Sequence, residues 1–216
     1  MAIDIDDEKR AAATAAAALV EEGMVVGLGT GSTVAHLIPA LAARLLSISC
    51  VATSPATEAL ALAHGLRVEP FSGIGQLSIA IDGADQVDPR GWLVKGGGGA
   101  HTREKIVAGA TDRFIVIVSS DKPVAALHPP VPLELMTFGL DVVLRRWPEV
   151  RLRQAPATPD GGVLADYFGD VADPDNLSAR LAATPGIVAH GLFPPSMTSV
   201  VLVGRNGRVE SVTPAG

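Results

Sequence analysis

The sequence predicts an α/β fold, a mainly parallel sheet with crossover helices followed by a smaller α+β module. Three observations point there. Short apolar runs alternate with helical stretches over residues 24–118, the order that builds βαβ units with right-handed crossovers. Several of those runs end in Gly, Ser, Thr or Asp, as buried strands do at the polar rim where an open α/β sheet binds its ligands. At residues 123–132 the texture changes, and His128-Pro129-Pro130 breaks the periodicity and marks a boundary.

Residues 5–22 are alanine-rich, begin with Asp6, Asp7 and Glu8, and stop at Gly23, so a helix is expected there. Lys9 falls in its first turns and reads, on composition alone, as a solvated charge. Residues 24–28 form a buried strand, then Gly29-Thr30-Gly31-Ser32-Thr33 leads into a helix over 34–45. Unless Ser or Thr caps that helix, the turn is an anion cradle, because free N–H groups and the positive end of the dipole both face it. No Lys precedes Ser32, so this is not a Walker loop; Ser32 also stands where a dinucleotide fingerprint needs its third glycine. The cradle therefore favours a single phosphate over a nucleotide.

Strands at 46–52, 66–68 and 77–81 continue the alternation, with a helix at 55–64. A strand at 92–94, a helix at 102–110 and a strand at 114–118 follow, and Ser119-Ser120-Asp121-Lys122 occupies another strand end. Past the proline boundary come a strand at 132–136, a helix at 140–147, strands at 151–154 and 162–166, a helix opened by Asp173-Pro174 and stopped by Pro185-Gly186, and a strand at 187–190. That order fits a split-βαβ module. Finally, runs at 199–203 and 208–212 flank Asn206-Gly207, a hairpin turn expected to rejoin the first sheet. The domains are thus 1–127 with 199–216, and 128–198.

A net charge of -6 with 19% charged residues argues against a nucleic-acid surface while allowing a local basic pocket for a small anion. Cys50 is the only cysteine and sits in an apolar run, so it reads as core filler in a reduced, cytoplasmic setting. The opening MAIDIDDEKR lacks the basic start of a signal peptide, and residues 11–20 are too short an apolar run to span a bilayer, so neither secretion nor membrane insertion is expected. The five histidines show no metal-ligand spacing, and His101, although next to the richest motif, reads as structural; Trp92 and Trp147 read as core or interface.

The chemistry concentrates in residues 81–105, IDGADQVDPRGWLVKGGGGAHTREK. Asp82 and Asp85 flank a Gly83-Ala84 turn, Lys95 runs into Gly96-Gly97-Gly98-Gly99, and Glu104 sits at the start of a helix. Four consecutive glycines cost backbone entropy, so they are expected where the main chain passes close to a sugar or phosphate.

Taken in order and spacing, GTGST at 29–33, DGAD at 82–85, KGGG at 95–98, TREK at 102–105 and Lys122 resemble the A-type ribose-5-phosphate isomerases over nearly the whole chain. The resemblance implies interconversion of D-ribose 5-phosphate and D-ribulose 5-phosphate through an enediol(ate), in the non-oxidative pentose phosphate pathway, without metal or organic cofactor. It also implies a Rossmann-like domain, a smaller ferredoxin-like domain, and a homodimer or homotetramer. Carried onto this chain, the general base falls on Glu104. Substrate contacts fall on Thr30, Gly31, Ser32, Thr33, Asp82, Gly83, Ala84, Asp85, Lys95, Gly96, Gly97, Gly98 and Lys122, and a lysine near the phosphate falls on Lys9. Two departures stand out. Gln86 replaces a Glu, which is expected to alter charge near the acids, and Asp160-Gly161-Gly162 replaces Asp-Asn-Gly-Asn, which is expected to alter a turn.

Aldose–ketose isomerisation moves a proton between neighbouring carbons while charge builds on the carbonyl oxygen, so it needs a carboxylate base and a cation or N–H donors at that oxygen. Glu104 suits the first role, Lys95 and nearby amides the second, and Asp82 and Asp85 the hydroxyl protons and ring opening. A tension follows. A free Glu titrates near about 4.3 and a helix start holds it charged, whereas a good base sits nearer the working pH, so burial has to push it up. Rival readings, a sugar-phosphate deaminase, a coenzyme A transferase or a non-catalytic sugar-phosphate sensor, rest on fold analogy alone.

Overall fold

The computed structural model describes residues 4–214. Helix α1 (Ile5–Ala17) is capped by Asp4, whose carboxylate accepts the Asp6 and Asp7 N–H groups, and it buries an alanine stripe. It ends at Ala17 rather than at residue 22, although the next residues favour helix. The reason is tertiary: Val20 N–H turns back to Ala17 O at 3.2 Å, and the Arg44 guanidinium donates to the carbonyls of Ala17 and Val20 and stabilises the turn there.

Next in the chain are β1 (Val25–Leu28), α2 (Ser32–Ala42), β2 (Ser49–Ala52), α3 (Pro55–Ala63), β3 (Arg67–Val68), β4 (Ile79–Asp82), β5 (Gln86–Val87), β6 (Leu93–Val94), α4 (His101–Gly109) and β7 (Phe114–Ser119). The smaller module contains β8 (Val131–Leu135), α5 (Leu140–Arg146), β9 (Val150–Leu152), β10 (Val163–Tyr167), α6 (Pro174–Ala182) and β11 (Ile187–His190). The chain returns through β12 (Leu192–Phe193) to β13 (Val200–Arg205) and β14 (Arg208–Val212).

The main sheet has the order β14-β13-β7-β4-β1-β2-β3 and is parallel except for β14. Its central strands are buried on both faces with the expected period of two. Ile115 and Ile117 of β7 pack into the cluster with α1 and α2, while Phe114, Val116 and Val118 pack with Val107 and Ala108 of α4. Strand order reverses at β1, with β2 and β3 to one side and β4 and β7 to the other, which leaves a crevice at the carboxyl ends of β1 and β4. Asn206 and Gly207 take φ of 50° and 75°, and the hairpin they turn joins this sheet along β7, as expected.

The second sheet, β11-β8-β10-β9, is antiparallel throughout. With α5 and α6 in a strand-helix-strand-strand-helix-strand order it is the ferredoxin-like module that the sequence implied. Trp147 meets Tyr167 edge-on at 5.8 Å in its core, so both tryptophans are buried as expected. One expectation needs correcting. Residues 92–94 do not join the main sheet; β6 pairs with β5 and β12 in a separate three-stranded antiparallel sheet. An apolar triplet carries no mark of its partners, and here the partner strand lies about a hundred residues away. Among the described residues no helix is long and apolar enough to cross a membrane.

Candidate active site

The loops after β1 and β4 lie side by side in the crevice, joined where Gly29 N–H donates to Ile81 O at 2.9 Å. Any Cβ at position 29 would sit 1.9 Å from the Asp82 carboxylate, so the first glycine of GTGST is required by that approach. Asp82 Oδ1 accepts the N–H groups of Thr30 at 3.0 Å and Gly83 at 2.7 Å, and Oδ2 accepts Lys95 Nζ at 2.8 Å. Lys95 Nζ also donates to Gly83 O and lies 3.2 Å from Glu104 Oε2. The last contact has ion-pair distance without hydrogen-bond alignment, so Glu104 Oε2 receives no hydrogen bond from the described residues. All three side chains are no more than 5% exposed.

Two carboxyls and one ammonium buried together cannot all be charged without cost. Burial pushes the Asp82 carboxyl up, while Lys95 and the N–H groups of Gly83 and Thr30 pull it back. Burial and the Asp82 charge push Glu104 up to about 8, against the pull of Lys95. Burial acts to lower Lys95, but the Asp82 and Glu104 charges outweigh it and hold the ammonium firmly protonated. The tension raised by the sequence is thereby answered: Glu104 lies in the first turn of α4, yet its desolvation exceeds the helix-dipole effect.

Asp85 faces the glycine loop, where Gly97 N–H donates to its Oδ2 at 2.8 Å. At the far end, α2 begins at Gly31 with φ of 117° and no side-chain cap, so its first amides are left for an outside acceptor. Thr30 Oγ1 is held by Thr53 Oγ1 at 2.8 Å, and Thr57 Oγ1 donates to Gly29 O at 2.8 Å, which fixes the turn. A cavity of about 140 Å³ joins these parts, lined by Lys9, residues 30–33, residues 83–85, residues 95–98, Glu104 and Lys122. Of the residues expected from sequence, only Asp82 is absent from the lining; it is buried, with its oxygens taken up by Thr30, Gly83 and Lys95. A larger cleft, about 1000 Å³, is lined from α4 by Thr102, Arg103, Ile106 and Val107 and does not include Glu104.

Sequence reasoning missed several supports. Glu8, read as a helix-start acid, is buried and accepts the N–H groups of Ser120 at 2.9 Å and Asn206 at 3.0 Å. It anchors α1 so that Lys9 reaches the cavity. Gln86 follows Asp85 in the chain, but its side chain turns to His128: its amide donates to His128 O at 2.8 Å and accepts His128 N–H at 2.9 Å, a two-way clamp that a carboxylate would only half make. The Asp160-Gly161-Gly162 turn takes φ of +83° at Gly161, and Asp160 pairs with Arg103 at 2.7 Å. His101 is fully buried outside the cavity lining, and burial with neighbouring Lys105 and Arg153 lowers it to about 3. Cys50 is buried filler, its thiol pushed up to about 12 by burial.

The profile of the family described as Ribose 5-phosphate isomerase A (phosphoriboisomerase A) matches residues 49–208. A ribose-5-phosphate isomerase A of Methanosarcina acetivorans is 40% identical over 95% of this chain and 94% of its own. The crystal structure of ribose 5 phosphate isomerase A from Neisseria gonorrhoeae superposes with a TM-score of 0.94 at 30% identity, covering 99% of each chain. Another D-ribose-5-phosphate isomerase, solved in complex with phospho-erythronic acid, superposes at 0.92 with 30% identity over 98% of this chain and all of that one. Matching in sequence, in fold and in extent, the chain belongs to the ribose 5-phosphate isomerase A family, enzymes that interconvert ribose 5-phosphate and ribulose 5-phosphate.

Proposed function

We propose that Glu104 carries the proton between C2 of the aldose and C1 of the ketose, with the sugar phosphate lying along the cavity and its phosphate on the uncapped start of α2. One observation carries this reading: a carboxyl raised to about 8, beside a buried ammonium, opens into a cavity whose other end presents free amides, Lys9 and Lys122. Lys95 and the amides of the glycine loop face the oxygen on which the enediolate charge develops. Asp82, its oxygens engaged by three protein donors, holds Lys95; Asp85, which lines the cavity, is the acid offered to the sugar hydroxyls during ring opening. No step in this scheme calls for a metal or organic cofactor. The bound phospho-erythronic acid of the relative, itself a phosphorylated sugar acid, supports a substrate of this size and charge.

Residues 1–127 with 199–216 form the catalytic domain and 128–198 the smaller one, a division supported by the seven-stranded and four-stranded sheets, while Trp92 and Val94 pack into the smaller module's core and β12 pairs with β6 across the boundary. A cytoplasmic homodimer or homotetramer is the expected setting for such a metabolic enzyme. The test of the chemistry is Glu104→Gln, assayed in D2O. The wild-type protein should place deuterium at C1 of ribulose 5-phosphate. The variant should bind the ester but lose on the order of 10²- to 10⁴-fold in turnover; near-normal turnover removes Glu104 from the role.

A further inference from the structure

Arg153 lies just past β9, and its guanidinium is divided between two modules. Nε and Nη2 donate to the two oxygens of Asp166 on β10 at 2.7 and 2.6 Å. Nη1 crosses to the glycine loop and donates to Gly96 O at 2.9 Å and Gly97 O at 3.2 Å. The pair is shielded, with side chains 17% and 16% exposed, so its geometry is fixed rather than solvent-averaged. A hairpin ion pair would need only the first two nitrogens.

A trans peptide is planar, with its C=O and the following N–H on opposite sides. Turning Gly96 O toward Arg153 therefore aims Gly97 N–H the other way, where it meets Asp85 Oδ2 at 2.8 Å. Turning Gly97 O toward Arg153 does the same for Gly98 N–H, which has no acceptor among the described residues and belongs to a residue that lines the cavity. Gly99 N–H closes a turn on Gly96 O at 3.0 Å, but Gly97 O has no donor other than Arg153 among the described residues, and glycine is the least restricted residue, so the loop does not set both planes by itself.

We infer that Arg153, held by Asp166, is a positioning residue for the isomerisation. It orients the two peptide planes after Lys95, so that Gly97 N–H holds Asp85 and Gly98 N–H is presented to the sugar oxygen that gains charge. This rests on residues 96–98 being the substrate loop.

Arg153→Lys keeps the charge and loses the fork. Its kcat should fall roughly 10- to 100-fold, because a displacement of about 1 Å at such a site costs on the order of 10²-fold. Competitive inhibition by inorganic phosphate should stay unchanged, since that end is built from other residues, and amide exchange at Gly97 and Gly98 should quicken. Asp166→Asn should act in the same way, and the double variant should be no worse than the poorer single one. Lower melting temperatures with wild-type kcat in both single variants would confine Arg153 to the hairpin and overturn the inference. If Arg153→Lys does not fold, Asp166→Asn decides by the same kcat and exchange measurements. Failure of the underlying site reading looks different: Glu104→Gln would then keep its turnover whatever the Arg153 variants do.

Discussion

The two ends of the cavity are built on opposite principles. At the acid end Asp82, Lys95 and Glu104 are no more than 5% exposed and lean on one another, with charges compensated inside the protein. At the cation end the Lys122 side chain is 33% exposed and meets only the 45% exposed Asp121 carboxylate at 3.1 Å, a solvated pair, and the helix start has no side-chain cap, so both stay open to an anion from outside. Proton transfer gains from a dry, preset environment in which a carboxyl is forced toward neutral pH. Phosphate capture gains from hydrated cations and free amides that a dianion can reach and leave. Substitutions should therefore change stability together with turnover at one end, and affinity alone at the other.

The largest break in this contrast should come from Lys95→Met. It strands two carboxyls in a buried site, and removing one partner of such a pair costs about 3–5 kcal/mol. Urea unfolding at pH 8 should show that loss together with a collapse of kcat; a variant as stable as wild type would mean the triad is more hydrated than its burial implies.

Next in size is the pH dependence. The base works deprotonated, so kcat/KM should fall about tenfold per pH unit below a limb near 8, well above the roughly 6 of a phosphate monoester. Stability carries the opposite sign. The folded state keeps a proton that the unfolded chain, with its ordinary carboxyl near 4.5, gives up, so this group lowers stability as pH rises from about 4.5 to about 8. Glu104→Gln should therefore melt higher than wild type by a larger margin at pH 9 than at pH 5, with about 1 kcal/mol appearing as roughly 2–4 °C. Equal margins at the two pH values would contradict the raised carboxyl.

The smallest effect should be Lys122→Ala, a KM for the phosphorylated sugar raised by about tenfold, with kcat and melting temperature nearly unchanged and a weaker dependence of KM on salt. A change confined to kcat would place this lysine at the wrong end.

The parts legible in the sequence were those whose chemistry is local. A strand end, a Gly-Thr-Gly turn and a helix start identify an anion cradle from neighbours alone, and Asp82, Asp85, Lys95 and Glu104 stand out because charge and glycine run together. What stayed hidden depends on distant partners. Arg44 ends α1 from the far side of α2, and Gln86 finds His128 rather than the acids. Glu8 looks like any helix-start acid until Ser120 and Asn206 close over it. Glu104 itself was recognisable, but its shift to about 8 was not, because desolvation belongs to the packed fold rather than to the motif.

Strand β12 follows β11 after a single residue and pairs with β6, while that residue, Gly191, accepts the Lys95 N–H at 2.8 Å and would drive a Cβ to 2.1 Å from Lys95 O. The ammonium is thus tethered through its backbone to the exit of the smaller module. A recombinant that borrows that module from a cousin would import the tether too, and its junction has to fall beyond Phe193 or the graft would shift the ammonium that sits between Asp82 and Glu104.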